Sequence, residues 1–238
     1  MIKILYIPTY NKITDIDRYF YNKKELSEKN PDLIIVSGGD GSLLHAIQSY
    51  KDLNVPFLGI AAGTRNFLMK DMSLLNIRNI QKINDINNLN MINIHTLSVS
   101  VNRVRTNGTE NIIFKSSFIN DIVVGGSIMD FNSFQFDNTN IKGMGLILST
   151  PLGSTAFNAN IDNEIIQDLK EESVMFSSIA CENNFSNKIN FNEIPEIQIK
   201  SERNAVKLFI DGTTKIFDLK YGDIIKVIKD TQYRLIDI

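Results

Sequence analysis

The chain has 238 residues, 43% hydrophobic and 22% charged, and its 25 Lys and Arg against 27 Asp and Glu give a net charge of −2. That composition is globular and the length suits one large domain or two modest ones, with no need of disulfides or a structural metal. The charge balance excludes a broad nucleic-acid or anionic-membrane surface, though not a local basic pocket. Cys181 is the only cysteine, so no internal disulfide can form and no CxxC or Cys/His cluster suggests zinc. The apolar stretch at residues 1–7 is too short for a signal peptide and no run reaches transmembrane length, so a cytoplasmic protein is expected.

Residues 1–7, MIKILYI, read as a short buried strand, and the polar stretch 13–29 predicts a helix. Residues 32–37, DLIIVS, form a second apolar strand, 42–50 carry apolar residues at helical spacing, and 55–61, VPFLGIA, return as a third strand. Strand, glycine turn, helix, strand is a βαβ unit, which implies a parallel sheet. Residues 70–94 are Asn-rich and polar and read as a short helix and a connection, placing a domain boundary at 92/93. Beyond it the period becomes two, in TLSVSVNRV, NIIFKSSFI, SFQFD, EIQIKS, VKLFID, TKIFDL and IIKVIK, with Asn107-Gly108 and Asp211-Gly212 as turn dipeptides. The expected fold is an α/β N-terminal domain with a parallel sheet (1–92), then a mainly antiparallel β-rich C-terminal domain (93–238) with a helix near 155–170.

Two segments carry chemistry. Gly38-Gly39-Asp40-Gly41-Ser42 lies between a strand and a helix. Glycines there allow close ligand approach and positive φ, and the helix N-terminus suits phosphate. The plainer reading is a tight turn with Asp40 or Ser42 as N-cap. Neither GxxxxGK[ST] nor GxGxxG occurs, so the common phosphate loops are absent. A carboxylate in a phosphate loop repels its ligand unless it binds a divalent cation or takes a proton from a hydroxyl nucleophile. The second segment, residues 145–157, runs from a strand through Ser149-Thr150-Pro151 and Gly153 into a helix expected to begin at Ser154-Thr155. Its hydroxyls and free N–H groups suit a base edge or a ribose. Phe157 offers a stacking face, or else a core side chain beyond a helix cap.

Together, GGDGS at 38–42 and STPLGSTAF at 149–157 resemble the two signature blocks of the NAD kinase family. Asn120-Asp121-Ile-Val resembles that family's Asn-Glu-Val-Val segment, and residues 206–227 resemble its closing hairpin. GGDG alone is shared with diacylglycerol and sphingosine kinases; the STPLGSTAF block is the specific one. The resemblance implies phosphoryl transfer from ATP, or polyphosphate in some members, to the 2′-hydroxyl of the adenosine ribose of NAD, with Mg²⁺ or another divalent cation and a homodimer or homotetramer. By position, Asp40 would be the base or orienting group for that hydroxyl, with Gly38, Gly39, Gly41 and Ser42 at the phosphates. Arg65 is a further phosphate candidate, following a glycine turn at the mouth of the sheet. Asn120, Ser154, Thr155, Ala156, Phe157 and Asn160 would hold the dinucleotide, with Phe67 where the family has a Phe and Asp121 near a ribose or the dinucleotide's other half. Phe157 replaces the usual Tyr. The chain departs from the family at Gly59-Ile-Ala-Ala-Gly63, where Gly-x-Asn-x-Gly is usual, and at Gly143-Met144-Gly145, where a carboxylate is lost. Thr64-Arg65-Asn66-Phe67 leans toward the lipid kinases. Two alternatives follow: a superfamily kinase with another hydroxyl acceptor, and a degenerate dinucleotide-binding protein.

Overall fold

The computed structural model describes residues 2–8, 24–26, 29–62, 67–70, 89–126, 130–162, 164–202, 205–212 and 215–237. In chain order these form β1 (Ile2–Pro8), β2 (Lys24–Leu26), β3 (Leu33–Gly38), α1 (Asp40–Ser49), β4 (Phe57–Ala61), β5 (Met91–Val104), β6 (Glu110–Phe118) and β7 (Asp121–Gly125). There follow β8 (Asn132–Phe136), β9 (Thr139–Ser149), α2 (Pro151–Ser154), α3 (Ala159–Asp162), β10 (Ser173–Cys181) and β11 (Ser186–Asn190). The chain ends with β12 (Ile197–Ile199), β13 (Val206–Ile210), β14 (Lys215–Leu219) and β15 (Ile224–Ile236). Two compact units result: Met1–Ile94 with Gln232–Ile238, and His95–Thr231.

The first unit is a parallel sheet. β1 pairs with β2 and β3, β3 pairs with β4, and the end of β15 sets Leu235 beside Phe57. All six residues of β3 are buried, as expected of a central parallel strand covered on both faces. Leu43, Ala46 and Ile47 are the buried face of α1, which packs on β3. Ile4, Leu33, Ile35, Leu58, Ile60 and Ile236 share one apolar core.

The second unit is antiparallel. β9 is its hub, pairing with β7, β8 and β10. β13 and β14 extend the sheet beyond β7, and β12 and β15 extend it beyond β8. β5 pairs with β6 and β15, and β11 with β10. Alternate residues point inward, among them Leu97, Val99 and Val101 on β5, and Val206, Leu208 and Ile210 on β13.

The α/β-then-β architecture matches the expected fold class, and the details differ in four places. Lys24–Leu26, inside the expected first helix, is a short parallel strand, while most of that stretch lies outside the described residues. β5 begins at Met91, where a connection is expected. No helix spans 155–170; two four-residue turns of helix, α2 and α3, lie at 151–154 and 159–162 instead. The expected division at 92/93 gives way to one at 94/95 and another at 231/232, because Leu235 and Ile236 are apolar enough to complete the first unit's core. Among the described residues no helix is long and apolar enough to cross a membrane.

Candidate active site

In the first unit, Asp40 is not the helix cap. Gly39 is, with extended backbone (φ −106°, ψ 177°), and Asp40 is the first residue of α1. The N–H groups of Ser42 and Leu43 both reach the Gly39 carbonyl, at 3.0 and 3.3 Å. Those of Asp40 and Gly41 thus precede the first helical bond. Gly38, Gly39 and Gly41 do not use the positive φ their sequence allows; among described glycines only Gly108, Gly212 and Gly222 do. A Cβ on Gly39 or Gly41 would meet nothing within 4 Å. Neither packing nor backbone angle demands glycine there, and the bare backbone faces open space.

The Asp40 carboxylate is gripped by the backbone of residues 67–69. Phe67 N–H donates to Oδ2 at 2.8 Å, and Leu68 and Met69 N–H donate to Oδ1 at 3.0 and 3.3 Å. Lys70 anchors this segment by bonding Gly59 and Ala61 of β4, both at 2.9 Å. An ionised carboxylate offers about four lone-pair sites, so three N–H donors leave capacity for one more. Phe67 is 48% exposed, its ring free beside the carboxylate's segment. Arg65 lies outside the described residues.

In the second unit, the 149–157 segment is built around a cap. Thr150 caps α2, its Oγ1 accepting from Gly153 N–H at 3.1 Å, with Pro151 in the first turn. This explains why the helix begins earlier than expected: Pro at the first helical position and Thr before it favour that start. Ser154 and Thr155 close the turn, their hydroxyls donating to the Pro151 and Leu152 carbonyls at 2.7 and 2.9 Å. Ser154 is buried and also accepts from Ile166 N–H at 2.9 Å, so its hydroxyl is committed to the fold. Ala156, Phe157 and Asn160 are exposed, and Phe157 is 48% exposed. A core role for Phe157 is thereby excluded.

Asn120 and this turn are locked together. Thr150 N–H donates to the Asn120 carbonyl at 2.9 Å, and Thr150 Oγ1 donates to the Ile119 carbonyl at 2.6 Å. Gly153 sits so close that a Cβ there would lie 1.9 Å from the Asn120 oxygen. Asp121 is next in the chain but only 4% exposed. Burial, then the nearby Asp211 charge, push its carboxyl up to about 6, while Gly212 N–H opposes the shift. Asp211 is read from the sequence only as a turn residue, yet its carboxylate bonds the 119–121 backbone. No local pattern signals that contact. Met144 is half-buried on β9.

Comparison with known proteins fits both halves of this description. Residues 10–84 match the family described as ATP-NAD kinase N-terminal domain. The NAD kinase of Rickettsia canadensis is 28% identical over 176 residues, 69% of this chain and 63% of that protein. That of Rickettsia felis is 31% identical over 157 residues, 62% of this chain and 55% of that protein. The chain therefore spans less than two thirds of the length of these relatives. Among solved structures, yeast NADH kinase complexed with NADH superposes with a TM-score of 0.75 at 17% identity, covering 100% of this chain and 84% of that one. An NAD kinase from Archaeoglobus fulgidus in complex with ATP gives 0.72 at 17% identity, covering 99% and 93%. The likeness to these two structures is one of fold, which in this chain comprises a parallel α/β unit and an antiparallel β unit. In sequence, the first part of the chain matches the ATP-NAD kinase N-terminal domain, and the chain is similar to the NAD kinases of these bacteria.

Proposed function

We propose that the protein is an NAD kinase, transferring the γ-phosphoryl group of ATP to the 2′-hydroxyl of the adenosine ribose of NAD. The observation that carries the reading is Asp40, held by three N–H groups with one acceptor position left, beside the bare backbone of Gly39 and Gly41. A base so fixed takes the hydroxyl proton as the oxygen attacks phosphorus, and ADP departs. The N–H groups at the start of α1 favour phosphate oxygens, with Gly38 and Ser42 flanking them. Arg65 is assigned to the same phosphates.

In the second unit Asn120, Thr155, Ala156, Phe157 and Asn160 are assigned to the adenosine half of NAD, with Phe67 in the first unit assigned to the dinucleotide. The Asn120 side chain is half-exposed and carries no recorded bond among the described residues, which leaves it available to a base or ribose. Ser154 and Asp121 support the site from beneath. Among the described residues no cluster of three or more His, Cys, Asp or Glu could hold a metal ion. No step is assigned to a protein-held cation; Mg²⁺ is expected to travel on the ATP phosphates, as it commonly does. A homo-oligomer in the cytoplasm completes the proposal.

Incubation with NAD, ATP and Mg²⁺ should yield NADP, with ADP released in equal amount. No NADP, but phosphorylation of a lipid or another nucleoside, would overturn the reading. A stacking role for Phe157 has its own test. Base–aromatic stacking is worth roughly 1–3 kcal/mol, so Phe157→Ala should weaken NAD binding about ten- to hundredfold in calorimetry, and Phe157→Tyr should be mild. Unchanged affinity in a folded Ala variant would remove Phe157 from the site.

A further inference from the structure

Residues 119 and 120 turn the corner between β6 and β7, outside any strand. Their backbone groups therefore need partners that no ladder supplies. Thr150 takes the carbonyls of both residues. The N–H groups go to a single side chain. Asp211 Oδ1 accepts from Asn120 at 2.7 Å and from Asp121 at 3.2 Å, and Ile119 N–H reaches the two oxygens at 3.3 and 3.2 Å. The lock is reciprocal: Asp211 N–H donates to the Asp121 carbonyl at 2.9 Å, and Gly212 N–H donates to the Asp121 carboxylate. Asp211 holds a left-handed φ of 46° and is followed by Gly212 at 73°, a backbone that asparagine, aspartate and glycine tolerate best.

We propose that Asp211 is a positioning residue of the dinucleotide site: its carboxylate gathers the three N–H groups of residues 119–121, aims Asn120, and places a second carboxylate beside that of Asp121. This rests on reading the second unit as the dinucleotide-binding part. The turn thereby acts at a distance of some ninety residues in sequence, through charge-assisted bonds stronger than neutral ones. The two carboxylates share one buried place, so the charge of one resists ionisation of the other. Among the described residues, the only other charge recorded at the pair is Lys215 on β14, which favours the ionised form of Asp211.

The test is Asp211→Asn. Asparagine tolerates left-handed φ, so the turn survives while the charge is lost and one oxygen must serve all three donors. Carbon-13 titration should find the wild-type Asp121 carboxyl pushed up to about 6 and lower after the substitution. A role confined to structural support would leave that midpoint in place. Amide exchange at residues 119–121 should quicken about tenfold, and the Kd for NAD should rise about tenfold with that for ATP within about twofold. An unmoved midpoint with unchanged exchange would overturn the proposal. Wild-type protein that fails to bind NAD would defeat the functional reading, while titration and exchange would still decide the role of Asp211. If the variant does not fold, acidifying the wild type serves instead. Protonation of Asp211, whose carboxyl burial pushes up, should strip protection from the amides of 119–121 together while Val123 and Val124 keep theirs. Retained protection at all five would overturn the proposal.

Discussion

Asp40→Asn is expected to cut turnover by about 10²-fold or more, the usual scale of a positioned general base. The geometry around Asp40 makes the variant informative in a second way. An amide has one acceptor oxygen, so Leu68 and Met69 N–H can keep their partner while Phe67 N–H faces an NH₂ group. Phe67 should shift, and the KM for NAD should rise several-fold, roughly the worth of one hydrogen bond. The larger fall in kcat reports proton transfer. Steady-state kinetics that show the KM change alone, with near-normal kcat, would make Asp40 a latch for residues 67–69 and nothing more.

Gly153→Ala is expected to destabilise the second unit by about 3 kcal/mol, at the upper end of overpacking costs, because the obstacle is backbone. The added Cβ would lie 1.9 Å from the Asn120 oxygen and 2.5 Å from its carbonyl carbon. Neither atom can rotate away as a side chain could. Relief requires separating residues 119–121 from 150–153, which breaks the Thr150 bonds to both carbonyls. Urea unfolding should show a lower midpoint at unchanged slope, and NAD affinity should fall with it. A variant with the wild-type midpoint would mean that the two segments are not in contact as described.

The sequence is most legible where local rules decide structure. The βαβ start follows from an apolar run at 33–36, glycines at 38–41 and helical spacing after them. Asp211-Gly212 is correctly read as a turn, with φ of 46° and 73°. The Asp137-Asn138 hairpin turn, with φ of 44° and 64°, carries no glycine and is easily overlooked. The helix at 155–170 fails for a local reason too. Its hydroxyl-rich start satisfies itself within α2, and Ser154 and Thr155 bond backward three residues instead of opening a new helix. What sequence cannot display is the long-range use of a short-range feature. Glycines at 39 and 41 look like conformational necessities, yet the backbone there is ordinary and only the space above them is special. The Asp211 carboxylate is legible as a turn former and illegible as the anchor of residues 119–121.

The first unit is discontinuous, and this has a consequence for the order of biogenesis. Its parallel sheet takes Leu235 beside Phe57, and its core takes Ile236. During synthesis, residues 1–94 emerge first, but they wait for 232–238 before that strand pairing and that core can close. The second unit is contiguous from 95 to 231, so all of its residues are joined before the last seven that seal the edge of β4. The usual N-terminal-first order of folding therefore cannot finish with the first unit, whose core closes only with the last residues made. A chain truncated after residue 231 has every residue of the later unit and an unsealed earlier one, with the edge of β4 and the core around Leu58 and Ile60 left open where Leu235 and Ile236 belong.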